Sequence, residues 1–469
     1  MTNRQGLALA GLIVLITVVA YFPSIRGGFV WDDGIYITGN PLVKASDGLY
    51  RFWFTSEAFD YYPITWSLWW LEWRQWGEAA TGYHVLSVLL HAINAVFVWL
   101  VLRRLDIPGA WFAAAVFAIH PVNVASVAWI SEQKNTLAML FCVLAVLFYL
   151  RFDQEDDHVW YVFSLTAFIL AVLSKSAVVM LPIVLLACVW WVRRTVRVTD
   201  LLRTAPFFLL SFIFGLVTIW FQNNRVLLGH AARSDSLISR IIGSGWASWF
   251  YVYKAILPVK LTAIYPKWKI DTSSWPSYLP VLALAACFAT FYLNRRSWGR
   301  PWLFAFGCFV IMLFPVLGFF DQSFYQYSLV ADHWQYFSIV GVIALAMAGG
   351  VWVYRRSGTF GRYSICVIWA SLMLSLGSAT WGRTHVYADS EALWRDVIAK
   401  NPNAWSAHVN RGNAFLQVGK IQDAVVEYEE ALKTEPFLAA AQQPRNYPDP
   451  LGTATGSDCA LPAGTADQA

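Results

Sequence analysis

Two adjacent carboxylates, Asp32 and Asp33, stand in the run Phe29-Val30-Trp31-Asp32-Asp33. Beside a membrane surface and flanked by aromatics, such a pair is costly to desolvate unless it meets a cation, a substrate hydroxyl or a basic partner. In a group transfer, either acid could take the proton from an acceptor hydroxyl as general base. The pair could equally bind a divalent cation, or form a solvated acidic turn with Gly34. Other polar residues recur at the ends of apolar stretches. These are His84 with His91, two turns apart on one helix face; His120 before Pro121; Glu132, Gln133 and Lys134; Lys175 between two serines; and Asp332 with His333. No carboxylate or cysteine is spaced to complete a metal site with the histidines, so none is expected from them. Acids and cations gathered at one membrane face suit a phosphate-bearing lipid donor: Lys, Arg or His would hold the phosphate while an Asp acts on the acceptor.

The elements that must position these residues are membrane helices. Of 469 residues, 58% are hydrophobic and only 13% charged, with a mean hydropathy of +0.49. An ordinary soluble domain has about 25% charged residues. Aromatic content of 17% excludes general disorder. The six cysteines are scattered without CxxC pairing, so neither a disulfide framework nor a zinc site is expected. Spanning a bilayer takes roughly 17 to 25 apolar residues in a helix. Eleven runs qualify: 7–21, 84–102, 110–129, 136–152, 159–173, 177–192, 205–221, 278–293, 301–320, 335–354 and 363–380. Arginine clusters at 103–104, 193–203, 295–300 and 355–362 fall on one side when the N-terminus is cytoplasmic, which places the C-terminus outside. Keeping that arrangement makes 237–257 an interfacial or re-entrant helix rather than a span.

This divides the chain into a transmembrane domain, 1–381, and a polar segment. The domain carries outer loops 22–83 and 222–277, and sixty residues is far beyond an ordinary connection, so the first should hold its own helices and a function. From 382 to 441 the spacing of Gly412, Phe415, Ala424, Tyr428, Ala431 and Pro436 fits one full tetratricopeptide repeat. Trp394, Val397 and Pro402 lie one period earlier and make a partial repeat over 390–400. Residues 442–469, rich in Pro, Gly, Ala, Thr and Asp, read as a disordered and aberrant tail.

The ordered set of Phe29 to Asp33 with Asn40-Pro41, Tyr62-Pro63-Ile64-Thr65, Tyr83-His84 to His91-Ala92, His120-Pro121-Val122, Lys175 and Val330-Ala331-Asp332 to Tyr336, followed by the repeat, resembles the transmembrane and tetratricopeptide repeat-containing O-mannosyltransferases and their bacterial relatives. These belong to the GT-C class of polytopic glycosyltransferases. The resemblance implies an all-α GT-C-like membrane protein of about eleven transmembrane helices. It also implies transfer of a sugar from a polyprenyl phosphate to a hydroxyl of an exported protein or glycan. Asp32 or Asp33 would be the base; Lys175, Asp332 and His333 would lie near the donor phosphate, with His84, His120, Glu132 and Lys134 completing the donor and substrate set. The chain departs from the family at Asn123 and Ala125, where a second histidine and a glutamate are usual, and at His333-Trp334, where relatives often read Arg-Tyr. A bacterial inner membrane is the expected location, with membrane lipid around the helices, a protein partner on the repeat segment and no nucleic acid. The rival reading is a non-catalytic membrane-anchored tetratricopeptide scaffold. A transporter is disfavoured, because the spans hold almost no ionisable residue near their centres.

Overall fold

The computed structural model describes residues 3–228 and 232–435. The tail 442–469 and Pro436 lie outside these residues. Among the described residues every regular element is helical. In chain order the α-helices are α1 (Asn3–Tyr21), α2 (Pro41–Lys44), α3 (Gly48–Phe54), α4 (Pro63–Trp76), α5 (Ala80–Arg104), α6 (Ala110–Ala118), α7 (Val124–Val127), α8 (Gln133–Glu155), α9 (His158–Ser174), α10 (Leu181–Arg193), α11 (Val198–Phe221), α12 (Leu237–Ile256), α13 (Leu279–Leu293), α14 (Gly299–Leu313), α15 (Ile339–Arg356), α16 (Thr359–Thr384), α17 (Ser390–Lys400), α18 (Trp405–Gln417) and α19 (Ile421–Thr434).

This is an integral membrane protein. Nine helices among the described residues are long and apolar enough to cross a bilayer. The other two of the eleven expected spans differ in form. The stretch 110–129 is not one helix but a pair, α6 and a second piece from Pro121 to Val127, bent by 47°. Pro121 causes the break, because it offers no N–H and pushes His120 out of the helical region, to φ −78° and ψ 125°. Helix α9 is apolar but only 17 residues long. Large apolar side chains stay uncovered on the outer helices, Leu209 at 60%, Phe212 at 65% and Leu374 at 73% exposed. In water such a surface would aggregate; in hydrocarbon it is the natural solvent face.

Helix α12 is continuous rather than re-entrant and is not among the nine spans. It buries Ile242, Ala247 and Tyr251 on one side and carries Arg240 and Lys254. With α12 set aside, the alternation of helices brings the arginine clusters to one end of the bundle. There Arg104 meets Glu155 at 2.6 Å and Arg193 meets Asp200 at 3.0 Å. The opposite end receives the last turn of α1, the α7–α8 junction, the end of α9 and the start of α15. Segment 22–79 packs there, α2 to α4 gathering around Ile37, Phe52, Trp66 and Trp69 in a cluster that also takes in Tyr83 and Ile130.

The described residues form two compact units that divide between Pro402 and Asn403, not at Trp381. Helix α17, read from the sequence as half of a repeat, therefore belongs to the first unit, with Leu393, Trp394 and Val397 buried. The second unit is a helical hairpin of α18 and α19. Gly412 allows the close approach, since a Cβ there would lie 2.6 Å from the ring of Tyr428. Glu427 ties the hairpin by accepting from His408 at 2.7 Å and Arg411 at 2.9 Å.

Candidate functional site

Residues 30–36 form a tight turn after the first span. The Asp33 amide donates to the Val30 carbonyl at 3.0 Å, and the Val30 amide donates back to Asp33 Oδ2 at 2.8 Å. The other oxygen of Asp33 accepts from the amide of Ser131 at 2.7 Å and from its hydroxyl. Asp33 is thus fully buried and holds three donors. Its neighbour differs. Asp32 is partly buried, its charged neighbours are Lys134 and Glu132, and among the described residues no hydrogen-bond donor engages its carboxylate. Burial pushes Asp32 up to about 6, with Lys134 opposing and Glu132 adding to the rise. Asp33 is pushed up to about 7 by burial, against the lowering by Ser131 and Val30.

Ser131 leads directly into the second feature. Glu132, fully enclosed, receives Lys134 Nζ on one oxygen at 3.0 Å and Lys175 Nζ on the other at 3.2 Å. Asn135 donates to the same carboxylate and also to the His333 carbonyl at 3.3 Å. The His333 ring lies 4.0 Å from Glu132 and packs edge-on against Trp129. Burial lowers His333 to about 3, so its imidazole is neutral at physiological pH. Lys175 is lowered to about 8, first by burial and further by Lys134, with Glu132 resisting. Lys134 and Lys175 thus bring two ammonium groups to one carboxylate, the donor type that holds a phosphate. Tyr36 puts its ring 5.2 Å from Lys134 Nζ.

Asp60 closes the far side. It accepts from Tyr62 and, at 2.6 Å, from Gln222, which in turn accepts from the Ser323 amide at 3.4 Å. One network therefore joins three segments that are remote in sequence. A cavity of about 830 Å³ runs between α5, α8, α10, α14 and α15. Its lining is almost wholly apolar and extends from Met139, Leu181 and Phe337 to Ile107, Trp298 and Trp352 beside the arginine clusters.

The family model described as dolichyl-phosphate-mannose-protein mannosyltransferase matches residues 74–221, the stretch that holds Glu132, Lys134 and Lys175. A protein O-mannosyl-transferase of Caenorhabditis elegans is 22% identical over 456 residues, covering 92% of this chain and 64% of its own. The human protein O-mannosyl-transferase TMTC3 is 27% identical over 191 residues, 38% of this chain and 21% of its own. The chain thus spans less than two thirds of the length of these relatives. Among solved structures it is similar to that of ArnT from Cupriavidus metallidurans bound to undecaprenyl phosphate, at 15% identity and a TM-score of 0.41, over 92% of this chain and 76% of that one.

Of the residues singled out from the sequence, Asp32, Asp33, Glu132, Lys134, Lys175 and His333 come together. His84, His120 and Asp332 do not join them. His84 meets the Gly28 carbonyl at 3.3 Å, and Gly27 leaves room for it, since a Cβ there would lie 3.1 Å from the ring nitrogen. His120 meets the Ala255 carbonyl at 3.1 Å, serving the chain break before Pro121. Both histidines satisfy backbone carbonyls. Asp332 accepts from Tyr265 at 2.8 Å in a separate network with Arg383, Lys254 and Lys400 around it. Of the two aspartates read as a possible cation site, Asp33 already accepts from three donors. Among the described residues no group of three His, Cys, Asp or Glu could hold a metal ion. Sequence reasoning missed Tyr36, Asp60 and Gln222. The acid inside Phe59-Asp60-Tyr61-Tyr62 is the same kind of signal as Trp31-Asp32, whereas nothing local marks Gln222.

Proposed function

We infer that this protein is a membrane glycosyltransferase that moves a sugar from a polyprenyl phosphate to a hydroxyl of a protein or glycan on the outer side of the membrane. The observation that carries the reading is the pairing of a carboxylate free of donors, Asp32, with the lysine-rich cluster around Glu132. The acceptor hydroxyl attacks the anomeric carbon while Asp32 takes its proton. The bond from that carbon to the phosphate oxygen breaks, and the electron pair leaves with the polyprenyl phosphate. Lys134 and Lys175 hold the phosphate and balance the charge that grows on it. Neutral His333 supplies a hydrogen bond rather than a charge. Asp33 holds the turn, and the apolar cavity takes the first units of the isoprenoid chain.

The names of the relatives and the match over the cluster-bearing segment support mannose as the first sugar to try. The N-terminus would be cytoplasmic, the site and the α18–α19 hairpin outside, in a bacterial inner membrane. The hairpin would contact a protein partner in the manner of a tetratricopeptide repeat. Incubating the purified chain with a panel of polyprenyl-phosphate sugars and acceptor peptides, read by mass spectrometry, tests the reading. Glycosylated acceptor from at least one lipid-linked sugar is expected; none from any of them, with the protein folded, would contradict it.

A further inference from the structure

Trp31, the residue before Asp32, has φ of +49°. A bulky side chain rarely adopts this left-handed conformation, which persists only where the surroundings enforce it. Four aromatic rings surround the indole. Trp129 stacks on it at 4.9 Å with 4° between the planes, and Trp394 meets it edge-on at 5.0 Å. Tyr327 and Phe324 lie at 5.9 and 6.0 Å. Stacked and edge-on aromatic pairs attract beyond the burial of their surface, so the two close contacts oppose release of the strained turn.

The two close rings have different origins. Trp129 belongs to the segment that carries Glu132, but Trp394 comes from α17, beyond the last span. That helix is fixed to the membrane unit. Arg383 pairs with Asp396 at 2.6 Å, Lys400 donates to the Leu261 carbonyl at 2.7 Å, and the Gly28 amide donates to the Ala388 carbonyl at 2.7 Å. The chain on each side of the Trp31 contact is therefore tethered, and the contact itself has little freedom.

We propose that Trp394 is a positioning residue for Asp32: it clamps Trp31 in the left-handed conformation that turns the Asp32 carboxylate toward Lys134 and Glu132. Helix α17 is then a wall of the site rather than the start of a detached repeat array. The role in turnover rests on the glycosyltransferase reading; the role in orienting Asp32 does not.

The test compares Trp394→Leu, Trp394→Phe and, as a control of equal burial on the same helix, Val397→Ala, each in the full chain in detergent. Two quantities are read. The first is the kcat and KM for a polyprenyl-phosphate sugar. The second is carbodiimide labelling of Asp32, measured by peptide mass spectrometry against the exposed Asp47, which needs no turnover. Trp394→Leu is expected to lower kcat by about tenfold to a hundredfold with the donor KM little changed, and to raise the relative labelling of Asp32 several-fold. Trp394→Phe keeps an aromatic edge and should stay near the wild-type values; Val397→Ala should leave both readings unchanged. Unaltered Asp32 labelling in Trp394→Leu, or the same alteration in Val397→Ala, would overturn the proposal. If Asp32→Asn kept full transfer while Trp394→Leu still changed the labelling, the glycosyltransferase mechanism would fail and the positioning role would stand.

Discussion

Asp33 Oδ1 accepts from the backbone amide of Ser131 at 2.7 Å, across 98 residues of sequence. This one bond fastens the turn that presents Asp32 to the segment that presents Glu132. It also gives the two adjacent acids different work: Asp33 is held by three donors, and Asp32 is left to meet an incoming group.

Asp33→Asn should therefore act on stability before chemistry. An amide cannot accept from all three donors, and each buried group left unpaired costs about 1–3 kcal/mol. A lowered thermal midpoint, with donor KM near wild type in the protein that remains folded, is the expected outcome. A midpoint equal to wild type would contradict the structural role given to Asp33.

Glu132 stands between two lysines, so Glu132→Gln leaves two cations without their anion. Breaking a buried pair from one side typically costs about 3–5 kcal/mol. Polyprenyl phosphate should stabilise this variant more than it stabilises the wild type, because the phosphate restores the missing negative charge. Thermal shift with and without the lipid checks both parts.

The pH profile should carry two limbs. Lys175 titrates near 8 because burial disfavours its charged form. Phosphate attracts only the protonated lysine, so donor binding should weaken as pH rises through about 8. Lys175→Arg should remove that limb, since a guanidinium stays charged. Asp32 is raised to about 6, and only its ionised form can accept a proton. Turnover should accordingly fall as pH drops below about 6. An acid limb near the ordinary carboxylate value of about 4 would argue against a buried Asp32 as base.

Much of the fold was legible in the sequence because bilayer thickness imposes a length on every apolar run. All eleven runs have helical counterparts, and the one that bends does so at Pro121, a residue whose effect is local. The site was legible in part. Composition draws attention to Asp32, Glu132, Lys134 and Lys175, because charges in an apolar chain are few. Which acid of the pair is engaged could not be read, since the answer lies in Ser131, 98 residues away. His84 and His120 meet backbone carbonyls, and a buried histidine that serves a carbonyl looks, in sequence, like one that serves a ligand. Helix α17 carries the spacing of a repeat, yet its Trp394 packs on Trp31; the periodicity says which face is buried, not what buries it.

The central claim is that Asp32 is the base of the transfer, and Asp32→Asn tests it most directly. Its rate of sugar transfer from the lipid-linked donor that the wild type uses should fall by about 10²–10⁴-fold, with donor affinity and thermal midpoint close to wild type. Transfer at the wild-type rate by folded Asp32→Asn protein would contradict the account.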